Sequence, residues 1–354
     1  MAKFRKIGIL TSGGDAPGMN AAIRAVTRAA LSNGTEVMGI YRGYSGLIEG
    51  DIRPLAVRDV SNIIDHGGTM LYSDRCPEFK TEEGMQKAIN TCRNLGIDGI
   101  VAIGGDGTFR GATDLSVRGI PCIGIPGTID NDIASTEETI GFDTAMNTVM
   151  QMVDRLRDTC ESHARCNVVE VMGRNAGDIT LQSAIAVGAT AAAIPEVPFD
   201  KEALFAKIQK SRILGKRNFL VIVCEGMGKE FAPELAKEIE LRTGVETKFA
   251  RLAHVVRGGV PTLRDRYLAT VMGEAACDCL FEGKSNLVVC KQNSQIVFTN
   301  INYALTLDQM NKGKLKDGDL APYTDEQIAA MRAVCEARQR AIEDVYHTLN
   351  RLSL

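Results

Sequence analysis

The sequence predicts an α/β protein made of two facing three-layer α/β domains with largely parallel sheets. Two observations carry this. Strand-like and helix-like runs alternate through most of the 354 residues, which is the pattern of βαβ units stacked in layers. Three apolar runs, at residues 6–10, 98–103 and 121–125, each lead into a loop crowded with Gly, Ser, Thr and Asp. Ligands of open α/β sheets sit beyond the carboxyl ends of parallel strands, so polarity gathered there points at a ligand.

The elements follow in order. Residues 6–10 read as the first strand, 11–18 as its loop and 19–31 as a helix. Residues 98–103 form a second buried strand, followed by Gly104-Gly105-Asp106-Gly107-Thr108 and a shorter helix. The apolar run 121–125 ends in Thr128-Ile129-Asp130-Asn131-Asp132. An amphipathic run over 139–160 reads as a helix crossing into a second unit, whose strands lie at 167–172, 191–194 and 218–224, with helices starting near Asn175 and Lys201. No low-complexity linker separates the units, so later segments are expected to return to the first. From Tyr323 onward the character changes. Thr324 followed by Gln327 has the spacing of a capping box, and Ile328, Met331, Val334, Ile342, Val345 and Leu349 make a narrow apolar stripe on a charged helix. Such a helix either packs on its own chain or contacts a neighbour.

Composition narrows the class. Hydrophobic residues at 45% and charged residues at 24% are those of an ordinary soluble protein. A net charge of −3 gives no drive toward nucleic acid or an anionic membrane, so any anion site needs a local cluster of Arg and Lys. There is no signal-like start or long apolar segment, and a cytoplasmic location is expected. The ten cysteines are scattered. The only close pair, Cys277-x-Cys279, falls in an apolar helical stretch, which favours core thiols over a disulfide framework or a zinc site.

The three loops carry the chemistry. Glycines between strand and helix let the backbone approach a phosphate, and the helix start adds N–H donors and a positive dipole end. Neither glycine loop has the spacing of a dinucleotide fingerprint or of a P-loop. Asp130 and Asp132 could serve as proton acceptor and metal ligand, with Thr128 donating to an anion, or the segment could be an Asx-rich turn that caps itself.

Thr11-Ser12-Gly13-Gly14-Asp15-Ala16-Pro17-Gly18-Met19-Asn20, Gly104-Gly105-Asp106-Gly107-Thr108, Pro126-Gly127-Thr128-Ile129-Asp130-Asn131-Asp132, Val171-Met172-Gly173-Arg174 and His254-Val255-Val256-Arg257-Gly258-Gly259 stand in the order and spacing of the phosphofructokinase family. The chain resembles that family from its N-terminus to about Leu307. Gly-Gly-Asp-Gly alone is shared with NAD kinases and lipid kinases; the whole set is specific. The resemblance implies an active site in the interdomain cleft. It divides the chain into a nucleotide-binding domain (1–140 plus about 256–303), a sugar-phosphate-binding domain (141–255 plus about 304–322) and a C-terminal helical extension (323–354).

The resemblance further implies Asp130 as the base acting on the 1-hydroxyl of fructose 6-phosphate, and Thr128 and Arg174 as stabilisers of the transferring group. It implies Asp106 as the Mg²⁺ ligand, with Asp132 contributing through water. Gly14, Gly105, Gly107 and Thr108 would line the nucleotide phosphates, and Arg75 and Cys76 would touch the nucleotide. Thr128, Ile129, Met172, Gly173 and Glu225 would hold the sugar. His254 and Arg257 from one subunit, with Arg165 and residue 248 from a neighbour, would bind the 6-phosphate, so a homotetramer or homodimer with shared sites is implied. Position 248 is Lys where the family usually has Arg, which keeps the charge and loses the bidentate fork. Arg251, three residues on, should face away from Lys248, while Lys248 and His254 share strand parity.

Two further departures bear on donor and control. Pyrophosphate-using relatives typically carry Asp at position 107 and Lys at 127; both are Gly here, which favours ATP. The effector site of bacterial relatives is half present: Arg24, Arg28 and Arg157 match, but position 190 is Thr instead of a carboxylate, and position 57 is Val instead of Arg, with Arg58 adjacent. The cluster is either a surviving phosphate site or a subunit interface. The expected activity is therefore ATP-dependent 6-phosphofructokinase. Its alternatives are a pyrophosphate-dependent or donor-tolerant enzyme and a catalytically silent sugar-phosphate-binding subunit, the last disfavoured by the presence of Asp106, Asp130 and Arg174.

Overall fold

The computed structural model describes residues 4–353, so the outermost residues of the expected first domain and of the extension lie outside the described residues. The elements through the middle of the chain are β1 (Lys6–Ser12), α1 (Met19–Ser32), β2 (Glu36–Ile40), α2 (Gly43–Glu49), β3 (Ile52–Pro54), α3 (Glu82–Leu95), β4 (Gly99–Gly104), α4 (Asp106–Val117), β5 (Cys122–Pro126) and α5 (Phe142–Ser162). They continue as β6 (Cys166–Val171), α6 (Asp178–Ala186), β7 (Ala191–Ala193), α7 (Lys201–Ile213), β8 (Phe219–Cys224), α8 (Phe231–Thr243), β9 (Thr247–Arg251), α9 (Leu263–Phe281), β10 (Leu287–Gln292), β11 (Gln295–Asn300), α10 (Ile301–Asn311) and α11 (Asp325–Leu352). The fold class is the expected α/β with largely parallel sheets.

Two compact units result. Residues up to Ile129 join Ile133–Thr144 and Arg257–Thr324 in one; Asp130–Asp132, Ala145–Val256 and the chain from Asp325 onward make the other. Residues 304–322 were expected with the second domain and fall in the first. The reason is burial: Ile301, Ala304 and Leu305 of α10 join the core beneath β4 and β5.

The first unit has a seven-stranded sheet in the order β11-β10-β5-β4-β1-β2-β3. Its pairs are parallel except β10 with β11 and β2 with β3. Helices α1 and α9 pack together, and α2, α3, α4 and α10 form a second packed group. Strands β1 and β4 are buried along nearly their whole length, as strands covered on both faces must be. Ser12 pairs with Gly104 and Gly104 with Pro126. The three polar loops therefore leave the sheet side by side, at the carboxyl ends of adjacent strands.

The second unit has a four-stranded parallel sheet in the order β7-β8-β6-β9. Val168, Phe219, Val221 and Val223 from the sheet meet Leu204, Phe205 and Ile208 of α7 and Leu235 and Ile239 of α8. Helix α6 packs against β8, and α11 covers α6 and β7. Of the expected stripe on α11, Met331 and Leu349 are the buried members. Cys277 is buried in α9, and burial pushes its thiol up to about 12. No helix among the described residues is long and apolar enough to cross a membrane.

Candidate active site

In the first unit, the loop after β1 ends at Gly18, whose φ of +106° at the start of α1 is open to glycine at low cost. Thr108 Oγ1 donates to the Ser12 carbonyl at 2.9 Å, and Tyr44 Oη donates to the Thr108 carbonyl at 2.6 Å. These bonds fix the turn after β4 against the loop after β1. Ser73 Oγ donates to the Gly13 carbonyl and ties in the segment carrying Arg75 and Cys76. Arg75 is exposed, whereas Cys76 packs in part against the core. The Thr128 carbonyl accepts from Thr139 Oγ1 at 2.6 Å, and the Thr128 Cβ lies 4.0 Å from where a Cβ on Gly105 would sit.

The two glycines expected to bear on donor choice have opposite surroundings. A Cβ at Gly107 would meet nothing within 4 Å. A Cβ at Gly127 would lie 3.0 Å from Ile103 Cγ2 and 3.1 Å from Met19 Cε, both in the packed interior. Position 107 opens to space; position 127 is closed by packing.

Asp106 begins α4, so its carboxylate stands at the positive end of the helix dipole. Its Oδ2 takes an ion pair from Lys312 Nζ at 2.9 Å, and its Oδ1 is buried, with the Asp308 carboxyl as a neighbour. Asp308, four residues before Lys312 on α10, accepts from the Ala134 backbone N–H at 2.5 Å. Burial, and then the neighbouring Asp106, push the Asp308 carboxyl well above the usual carboxylate range. No cluster of three or more His, Cys, Asp or Glu suited to a metal occurs among the described residues. Mg²⁺ dehydrates reluctantly and is commonly held by one or two carboxylates together with waters and substrate phosphates. The Asp106 carboxylate, at the start of α4, is a suitable ligand for such an ion.

Arg257, assigned by resemblance to the sugar phosphate, lies over the first glycine loop. Its Nη1 donates to the Asp15 carbonyl at 3.3 Å and would be 2.5 Å from a Cβ on Gly14. On the same unit Arg24, Arg28, Arg58 and Arg266 line a cavity of 600 Å³ with Ser61, Asn62, Asp65 and His66. Burial and the charge of Arg28 lower the Arg24 pKa. Arg58 thus brings to the cavity the cation that Val57 lacks.

In the second unit, Asp130 is 1% exposed, and its Oδ2 lies 3.0 Å from Arg174 Nε. Arg174 has a φ of +54°, an uncommon conformation for a residue with a side chain. Glu225 accounts for it, since its Oε1 accepts from the N–H groups of both Gly173 (3.3 Å) and Arg174 (3.0 Å). Glu225, expected only as a sugar contact, therefore also sets the backbone that aims Arg174. Met172 precedes this turn and is half-buried. Ile129 is fully buried at the end of the first-unit loop.

Two cations expected at the sugar phosphate hold a group that sequence reasoning missed. Glu246 pairs with Arg165 Nε at 2.8 Å and with Lys248 Nζ at 2.9 Å. The bond to Arg165, then the one to Lys248, hold the Glu246 carboxyl down at about 2. The two-residue spacing of Glu246 and Lys248 was the available signal. Arg251 is engaged elsewhere, with its Nε 2.6 Å from Glu170 Oε1. Lys248 and Arg251 are both exposed on β9 and each pairs with its own carboxylate, and the parity argument stops at Arg251, where the strand ends; His254 lies on a short 3₁₀ turn, exposed. Arg157 donates to the Val187 carbonyl, and Thr190 is buried, its Oγ1 accepting from the Leu220 N–H at 3.3 Å.

The family model for phosphofructokinase matches residues 6–280. The chain is 50% identical over 310 residues to the ATP-dependent 6-phosphofructokinase of Bacillus licheniformis, covering 86% of this chain and 97% of that protein. It is 51% identical over 322 residues to the enzyme of the same name from Enterococcus faecalis, covering 90% and 98%. A solved phosphofructokinase from Saccharomyces cerevisiae superposes with a TM-score of 0.85 at 30% identity, over 98% of this chain and 50% of that one. The chain thus spans half of the yeast polypeptide and nearly all of the bacterial proteins. With its three loops at the ends of adjacent strands, and a family match through most of its length, the chain belongs to the phosphofructokinase family.

Proposed function

We infer that the chain transfers the γ-phosphoryl group of ATP to the 1-hydroxyl of D-fructose 6-phosphate, giving fructose 1,6-bisphosphate and ADP in glycolysis. The observation that carries this is 50% identity along nearly the whole length of bacterial ATP-dependent 6-phosphofructokinases, together with the open space at Gly107.

The residue roles are those that the family resemblance implies, and they suit phosphoryl transfer, which is largely positioning and charge neutralisation. Asp130 accepts the hydroxyl proton. Arg174, held beside it by Glu225, and Thr128 stabilise charge on the transferring group. Gly14, Gly105, Gly107 and Thr108 line the donor phosphates, and Arg75 and Cys76 contact the nucleotide. Asp106 would hold Mg²⁺, which when bound would neutralise charge on the donor phosphates. Lys312 balances the Asp106 carboxylate. Ile129, Met172, Gly173 and Glu225 hold the sugar; His254, Arg257, Arg165 and Lys248 bind the 6-phosphate, the last two across a subunit interface in a homo-oligomer. A cytoplasmic enzyme is the reading that fits a glycolytic substrate.

A steady-state assay with fructose 6-phosphate tests the donor and the reaction together. Turnover with ATP that far exceeds turnover with pyrophosphate is expected. Preference for pyrophosphate would overturn the donor assignment, and absence of turnover with both would overturn the activity.

A further inference from the structure

We propose that Arg338, on the C-terminal helix α11, is a positioning residue for the loop that carries Asp130. The helix lies beyond residue 280, where the family match ends. Met331 and Leu349 are its buried anchors. Arg338 follows Met331 by seven residues, two helical turns, so it belongs to the docked face and not to the charged outer one. A cation there needs a partner, and it has one: Arg338 Nη2 donates to the Asn131 carbonyl at 3.0 Å.

Asn131 is the residue after Asp130, is 3% exposed, and has a φ of +51°. Its conformation is one that Asn tolerates better than most side chains but that surrounding contacts must hold. Four hydrogen bonds link this residue, α11 and the start of α6. Arg338 holds the Asn131 carbonyl, and Asn131 Nδ2 donates to Asp178 Oδ1 at 3.4 Å, at the first turn of α6. Gln339, next on the helix, donates to the Glu196 carbonyl at 3.4 Å, and Glu196 Oε1 accepts from the Gly177 N–H at 2.7 Å, just before α6. Burial raises the Asp178 pKa, and the charge of Arg338 is the largest influence lowering it. One helix thus ties the Asn131–Asp132 peptide, one residue past the base, to the start of α6 and supplies a cation to the cluster. Fixing the Asn131 peptide fixes the direction in which Asp130 points.

This inference rests on Asp130 being the base. The test compares Arg338→Met, which removes the guanidinium, with Met331→Ala, which loosens the same helix without touching the loop, both in the full chain. The expected result for Arg338→Met is a kcat lowered about tenfold, with KM for ATP changed less than about twofold, as misplacement of a catalytic group predicts. Arg338→Lys should recover part of the lost kcat. Met331→Ala should lower the thermal midpoint and leave kcat within about twofold, since its effect is a cavity under the helix. An unchanged kcat in Arg338→Met overturns the proposal, as does an equal loss in Met331→Ala. Should Arg338→Met not fold, Arg338→Gln is judged by the same outcomes. Asp130→Asn is measured alongside. If it retains activity, the base assignment falls; if it is inactive while Arg338→Met is fully active, only the role of Arg338 falls.

Discussion

The half-exposed Arg174 guanidinium closes over the buried Asp130 carboxylate, Nε to Oδ2 at 3.0 Å. One side chain faces solvent while the other is sheltered, so the pair presents a cation outward and keeps an acceptor beneath it. In the proposed reaction, protonation of Asp130 cancels the charge that holds Arg174. The guanidinium then becomes available to the transferring phosphoryl group as that group gains negative charge.

Asp130→Asn keeps the shape and removes the proton acceptor. The expected result is a kcat lower by about 10² to 10⁴, with a much smaller change in KM for fructose 6-phosphate. Steady-state kinetics on protein shown to be folded by circular dichroism decides it; a near-normal kcat would remove Asp130 from the mechanism.

Donor choice should respond to the two glycines in different ways. Gly107→Asp adds a carboxylate into space that no protein atom fills, so folding should be unaffected while ATP use falls by at least about tenfold, ~1.4 kcal/mol in kcat/KM. Gly127→Lys must displace Ile103 or Met19, and overpacking of that kind costs about 1–3 kcal/mol of stability. Thermal midpoints and ATP kinetics of both variants separate the effects. A destabilised Gly107→Asp or an undisturbed Gly127→Lys would contradict the packing described.

Glu246→Gln should release Arg165 and Lys248 from an internal competitor. Because the Glu246 carboxyl titrates at about 2, well below its unfolded value near 4.3, the ion pairs are present at all pH values above the unfolded pKa and are lost only as pH falls through about 2. The competition is therefore constant across any practical assay range. KM for fructose 6-phosphate should fall about two- to fivefold, the modest scale of exposed ion pairs. A raised KM would mean that Glu246 orients the two cations and does not compete for them.

The proposed sharing of sites between subunits has a direct check. Mixing Asp130→Asn chains with Arg165→Ser chains should regain activity, because hybrid assemblies contain some sites with both residues intact. Mixtures shown by mass spectrometry to exchange subunits, yet no more active than the parents summed, would place every site within one chain.

Effector control should be weak. Thr190 is buried and already accepts from Leu220, so it offers neither the charge nor the access that a carboxylate ligand for a hard cation would. Millimolar ADP or phosphoenolpyruvate should move the half-saturating fructose 6-phosphate concentration by less than about twofold, the range left to a cavity that holds Arg24, Arg28 and Arg58 without that ligand. A several-fold shift would show that those arginines suffice.

Much of this was legible in the sequence because it is local. The strands before the three glycine and aspartate loops announce themselves by apolar runs, and Arg174 and Asp130 by their motifs. What stayed hidden depends on contacts between distant segments. Lys312 and Asp308 have the i, i+4 spacing of one helix face, yet nothing in that spacing names Asp106, about two hundred residues earlier. Glu246 was readable as a neighbour of Lys248 but not of Arg165, which the parallel pairing of β6 with β9 brings to it. That residues 304–322 cluster with the first unit was not readable, because amphipathic periodicity says which face is buried, not which sheet receives it.

The unequal surroundings of Gly107 and Gly127 also bear on how the family diversifies. An aspartate at 107 is one nucleotide away from some glycine codons and meets no folding obstacle, so selection would see it only through its effect on donor use. A lysine at 127 is screened first by the folding of the chain, because Ile103 and Met19 must be replaced or moved before it can be tried. A lineage passing from nucleotide to pyrophosphate would then be expected to change position 107 early and position 127 only after its interior neighbours had altered, leaving an order of events that could be read in reconstructed ancestors.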